Sequence, residues 1–132
     1  MSSGALRGLL TAALVDPFFG SLRAATGAIT HRVTGPPAIR PFVASALAAG
    51  YAGSIGGEST GGVPVLLVTA TGREAEAAAA SIGDLIGDDN VALFPSWETL
   101  PHERLSPRAD TVARRLSTLR RIAHPESHPR QV

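Results

Sequence analysis

Phosphate chemistry is the first possibility these residues raise. The unit "ITHRVTGPPAIRPFVASAL" (Ile29 to Leu47) reads as strand, turn and helix, the order in which a nucleotide-binding fold sets its phosphate loop. Such a loop needs successive backbone N–H groups aimed at phosphate oxygens, a Lys to neutralise charge and a Ser or Thr to hold magnesium. Thr34 and Gly35 are suitable residue types. Pro36 and Pro37 carry no N–H, and all twelve basic residues of the chain are Arg, so no Lys exists to serve. Thr34, Gly35, Pro36 and Pro37 therefore read as a vestigial phosphate loop, with no cofactor expected.

Other groupings are weaker. The Gly-rich stretch Gly50 to Gly62 lies before a strand, whereas phosphate loops lie after one, so it reads as a flexible connection. His124 and His128 are four apart with Glu126 between them, a metal-ligand spacing on a helix, but Pro125 and Pro129 argue against a helix there. No metal is expected. "AGSIG" around Ser54 does not meet the G-x-S-x-G pattern of a nucleophile elbow, and no strand precedes it. Cysteine is absent, which excludes disulfides, thiolate nucleophiles and Cys-based zinc sites. No catalytic residue is assigned.

Six of the twelve Arg lie between Arg104 and Arg121. On a helical wheel Arg114 and Arg121 point away from a Val112/Leu116/Leu119 stripe, while Arg115 and Arg120 flank it. The plain reading is a solvated helix face, with the flanking Arg lying over apolar neighbours or pairing with Glu98, Glu103 or Asp110. A protein-docking surface is the sharper one. Direct DNA binding is disfavoured, because no aromatics are interleaved and the net charge is only +1.

The elements that must position these residues follow from periodicity. At 132 residues and 44% hydrophobic, the chain suits one domain with a core. Leu6, Leu9, Leu10 and Leu14 predict a helix over 5–15; Arg7 precedes "GLLTAALV", a run too short to span a bilayer. Asp16 as N-cap and Pro17 at the first helical position open a second helix to about Ala25. "AITHRV" predicts a strand over 28–33, and Phe42, Val43, Ala46 and Leu47 predict a helix over 39–49. "VPVLLVTA" reads as a strand buried on both faces, and "NVALF" as another. Helices are predicted from Thr71 to Gly87 and from near Pro107, capped by Ser106, to about Ala123. Strands alternating with helices predict an α/β fold: a three-layer parallel sheet flanked by helices. Three strands are few for such a sheet, which reads as a fragment missing a further strand. Residues 1–125 form the expected subdomain and 126–132 a polar tail.

"FPSWETLPHERLSP" (Phe94 to Pro107) fits none of these elements. It carries the only Trp, with Leu100 and Leu105, among three Pro. Together with "RADTVARRLSTLRRIAH" it closely resembles the N-terminal region of the bacterial transcription-repair coupling factors, through its W-E-T-L-P run, the S-P after it and R-L-S-T-L. "VLLVTATGREAEAAAASI" matches the family's preceding strand and helix. The match is strong from about Val63 to Pro125; before Gly62 only "TGPPAIRPFVASAL" aligns, with the family's degenerate phosphate loop. The resemblance implies a cytoplasmic DNA translocase that displaces stalled RNA polymerase and recruits nucleotide excision repair. It implies that this chain is the first subdomain of a module similar to the excinuclease B subunit, helicase-like but without ATPase chemistry. The expected function is a non-catalytic scaffold, its partners the remaining domains of the parent. The excinuclease A subunit, like RNA polymerase, is contacted through other domains, and neither DNA nor membrane is contacted directly. Trp97, Leu100 and Leu105 are then apolar anchors that pin an irregular connection, each large side chain being worth roughly 1.5–3 kcal/mol when buried. Two other classes stay open: a small nucleotide-binding domain, and a DNA-binding module using Arg114 and Arg121.

Overall fold

A computed structural model describes residues 6–24, 30–51, 64–97 and 108–124. Among these residues five α-helices run in chain order: α1 (Arg7–Leu14), α2 (Pro17–Ala24), α3 (Arg40–Tyr51), α4 (Gly72–Ile86) and α5 (Ala109–Ala123). Short 3₁₀ turns at Pro37–Ile39 and Asp88–Asn90 precede α3 and follow α4.

The helix ends form where local chemistry asks for them. The Asp16 carboxylate accepts from the Phe18 N–H at 2.8 Å, and Pro17 starts α2, its missing N–H costing nothing there. Thr71 caps α4, its hydroxyl accepting from the Glu74 N–H at 3.2 Å. The Glu74 carboxylate reaches back to accept from the Ala70 N–H at 3.2 Å, so one donor of the first helical turn and one just before the cap are both satisfied. Gly87 ends the helix at φ 93° and ψ 140°, donating to the Gly83 carbonyl at 2.7 Å. Asp110 sits in the first turn of α5 and Arg120 and Arg121 in its last, each sign favoured by the helix dipole.

α3 is the central element, packed by α1, α2 and α4. That is why Ala44, Ser45 and Ala46 are all buried in succession: α3 is covered on more than one side. Leu10 of α1, Phe19 of α2 and Leu85 of α4 complete a small core. Phe19 meets Phe18 edge to face, with ring centroids 5.1 Å apart. The Leu6 N–H donates to the Asp84 carbonyl at 2.9 Å, tying the start of α1 to the end of α4. Within this core the Ser45 hydroxyl has no hydrogen-bond partner among the described residues. Ser45→Ala removes an unsatisfied buried group at little cost in volume, so we expect stabilisation of about 1 kcal/mol, read as a raised urea midpoint.

The expected three-layer parallel sheet is not formed. Among the described residues no strand occurs, and the α/β reading is corrected to a helical fold with extended connections. Residues 30–34, 64–69 and 91–97 run between helices without a strand ladder. The physical reason is that an apolar run becomes a strand only when a neighbour offers its N–H and C=O groups. The run read as buried on both faces leaves Leu66 85% and Val68 79% exposed. The run at 91–97 spends carbonyls on side chains of α5 instead.

No helix among the described residues is long and apolar enough to cross a membrane.

Candidate functional site

The turn before α3, read from the sequence as a vestigial phosphate loop, spans Thr34, Gly35, Pro36 and Pro37. Pro36 is held at φ −58° and ψ 146°, and its carbonyl accepts from the Ile39 N–H at 3.0 Å, closing the 3₁₀ turn. The Ile39 side chain lies against Gly35, its Cγ2 3.4 Å from where a Cβ on Gly35 would stand. One N–H after the turn is therefore engaged, two donors are removed by proline, and an apolar side chain covers the glycine. Thr34, Gly35, Pro36 and Pro37 are all exposed. These residues offer no run of free amide donors converging on an anion, and the chain has no lysine to stand beside them as a phosphate-binding cation.

The second assembly is α5 against residues 91–97. Three side chains at three-residue intervals on α5 meet alternate carbonyls of the extended segment. Arg121 Nη1 donates to the Val91 carbonyl at 3.0 Å, Thr118 Oγ1 to the Leu93 carbonyl at 3.3 Å, and Arg115 Nη1 to the Pro95 carbonyl. The two elements run antiparallel, since rising numbers on one meet falling numbers on the other. Side chains three apart lie on one side of a helix, and alternate carbonyls of an extended segment point the same way, so the two rows can face each other, with the long Arg side chains at either end spanning the difference in rise. The Arg115 guanidinium also lies over two aromatic rings, 3.9 Å from the Phe94 centroid and 4.3 Å from that of Trp97. Cation–π attraction and the hydrogen bond act together on one side chain.

Of the interaction residues read from the sequence, Trp97 stands here, half-exposed and stacked on Arg115. Arg121 reaches the Val91 carbonyl, where a solvated face was expected. Arg114 pairs with Asp110 at 3.6 Å one helical turn away, both side chains exposed, a contact worth little in water. Leu100 and Leu105 lie outside the described residues, as do Glu98, Glu103 and Ser106. Residues 125–132, read as a polar tail, lie outside them too, with His128 and most of the Gly-rich loop. Among the described residues no group of His, Asp and Glu has the arrangement to hold a metal.

Periodicity placed the wrong side of α5 inward. Leu116 and Leu119, expected to face the core, are 60% and 50% exposed, and Ile122 is 65% exposed. α5 packs against no other helix among the described residues. Its inward side is the Arg115/Thr118/Arg121 row, because carbonyls without ladder partners must find donors and this row supplies them. The sequence reading passed over Thr118 and took Arg115 only as a residue flanking the stripe. The available signal was the three-residue spacing of long or hydroxylated donors opposite a Pro-interrupted apolar segment.

No protein-family model matches the chain. Over 123 residues, 92% of its length, it is 47% identical to the transcription-repair-coupling factor of Mycobacterium bovis. The same identity and coverage hold for the transcription-repair-coupling factor of Mycobacterium tuberculosis. The chain spans only 9% of the length of each. The likeness reaches well into the first sixty residues, further than the motifs alone reached.

Proposed function

Since this chain is a relative of a segment of the transcription-repair-coupling factors, we propose that it acts as a non-catalytic scaffold and interaction subdomain of such a factor. Polymerase displacement and repair recruitment fall to the remainder of that larger protein. One observation carries the reading: at the turn before α3, proline removes two donors, the Ile39 N–H donates to the Pro36 carbonyl, and the chain has no lysine.

Calorimetric titration with ATP and magnesium tests this. No saturable heat is expected up to millimolar nucleotide, and micromolar binding would restore the nucleotide-binding alternative. The DNA-binding alternative loses ground on geometry. Arg115 and Arg121 are committed to carbonyls of 91–95, and Arg114 is beside Asp110. Phosphate contacts would have to break these first.

A further inference from the structure

The outward side of α5 combines three features. Leu116 and Leu119 stand exposed along it, and Ile122 is exposed where it borders the Arg115/Thr118 row. At its edge are Phe94 and Trp97, 43% and 49% exposed and fixed by the same guanidinium, with Leu119 one turn beyond Arg115. Its charge is one-sided: of the five Arg in residues 108–124, Arg108 and Arg120 are exposed and outside the inward row, while the single acid, Asp110, is beside Arg114. Tryptophan, arginine and large apolar side chains exposed close together are the composition of an interaction hot spot, and here the Arg115 stack orders the two aromatic rings. Holding them in place beforehand removes much of the ordering cost of binding.

We propose that this face of α5, with Phe94 and Trp97, is a docking surface for an acidic amphipathic helix, one that lays leucine-type side chains along Leu116, Leu119 and Ile122 and sets carboxylates against Arg120 and Arg108. This rests on the scaffold reading and names the surface and the partner chemistry that reading leaves open. Charge selects the partner. Arg108 and Arg120 are exposed, with no acid on this helix besides Asp110 to balance them. A neutral apolar segment would leave them uncompensated and a basic one would be repelled. A protein helix is favoured over nucleic acid because the centre of the face is apolar, whereas a nucleic-acid surface places its cations where the backbone runs.

Trp97 is the only Trp and lies at the edge of the face, so its emission reports occupancy directly. The probe is a synthetic amphipathic helix of about 18 residues with Leu at i, i+3, i+4 and i+7 and Glu on the flanking positions. It is titrated into the 132-residue chain. A saturable change in Trp97 emission is expected, weakened at least tenfold in Leu116→Ser/Leu119→Ser and in Arg108→Glu/Arg120→Glu. Both pairs are exposed, and unchanged helical circular dichroism shows that the variants fold. A Lys-flanked version of the peptide is expected to bind at least tenfold more weakly. No saturable change with the Glu peptide overturns the proposal. So does equal binding of the Lys peptide, or a preference for duplex DNA or phosphatidylserine vesicles over the Glu peptide. These outcomes leave the nucleotide titration unaffected, so a failed docking surface and a failed scaffold reading are told apart.

Discussion

Arg115→Ala is expected to shift the emission of Trp97 to the red and to destabilise the chain by about 2 kcal/mol, the red shift persisting in the folded variant. The guanidinium makes a charged hydrogen bond to the Pro95 carbonyl and lies over both Phe94 and Trp97. A hydrogen bond from a charged donor contributes about 1.5–3 kcal/mol, and each cation–π contact at a part-exposed site about 0.5–1 kcal/mol. These terms share one side chain and do not add in full, which brings the sum down to about 2 kcal/mol. Truncation also strands the Pro95 carbonyl and opens one face of the indole to water. Arg115→Lys separates charge from shape: an ammonium keeps the charge but not the flat, forked stack. It should recover less than half of the loss. Urea unfolding followed by Trp97 emission and by circular dichroism gives both quantities, and a variant matching the parent in both would show that the sandwich holds nothing.

Gly87→Ala should be the most damaging small substitution outside the core. At φ 93° and ψ 140° this residue occupies backbone space that side chains with a Cβ rarely enter. The conformation cannot relax freely. The Gly87 N–H is bonded to the Gly83 carbonyl, and the turn after it is closed by Asn90, whose amide N–H donates to the Gly87 carbonyl at 3.0 Å and whose side chain donates to the Ile86 carbonyl at 2.8 Å. The same turn folds the Asp88 carboxylate into the space where a Cβ on Gly83 would stand. We expect a loss of about 1–3 kcal/mol, the ordinary cost of such backbone strain, and a Tm lower by several degrees. Calorimetry of the variant measures it; an unchanged Tm would mean that the turn finds another path.

The features legible in the sequence were those with partners close by in the chain. Asp16 with Phe18, Thr71 with Glu74 and Gly87 with Gly83 each involve residues two to four apart. Helix starts and stops were therefore read to within a few residues. What the turn at 34–37 lacks was legible too, since the absence of lysine and the presence of Pro36 and Pro37 are facts of composition. The family relationship lay in a run of residue identities and needed no coordinates.

Residue order alone thus settles the helices, the Asp16 start and the Gly87 stop, the lysine-free and doubly prolinated turn, and the kinship with the transcription-repair-coupling factors; the cap read at Ser106 is not among them, since α5 has Arg108 at its N-cap and no side-chain cap there. It took the packed chain to establish that "VPVLLVTA" and "NVALF" remain without a ladder, and that α5 turns its Arg115/Thr118/Arg121 row inward and its leucines out. The difference is one of range. An apolar run says that burial is favourable but not which neighbour supplies it. Val91 meets Arg121 across thirty residues of chain and Pro95 meets Arg115 across twenty. Pairings over such distances depend on which donors arrive beside which carbonyls, a matter on which hydrophobic periodicity is silent.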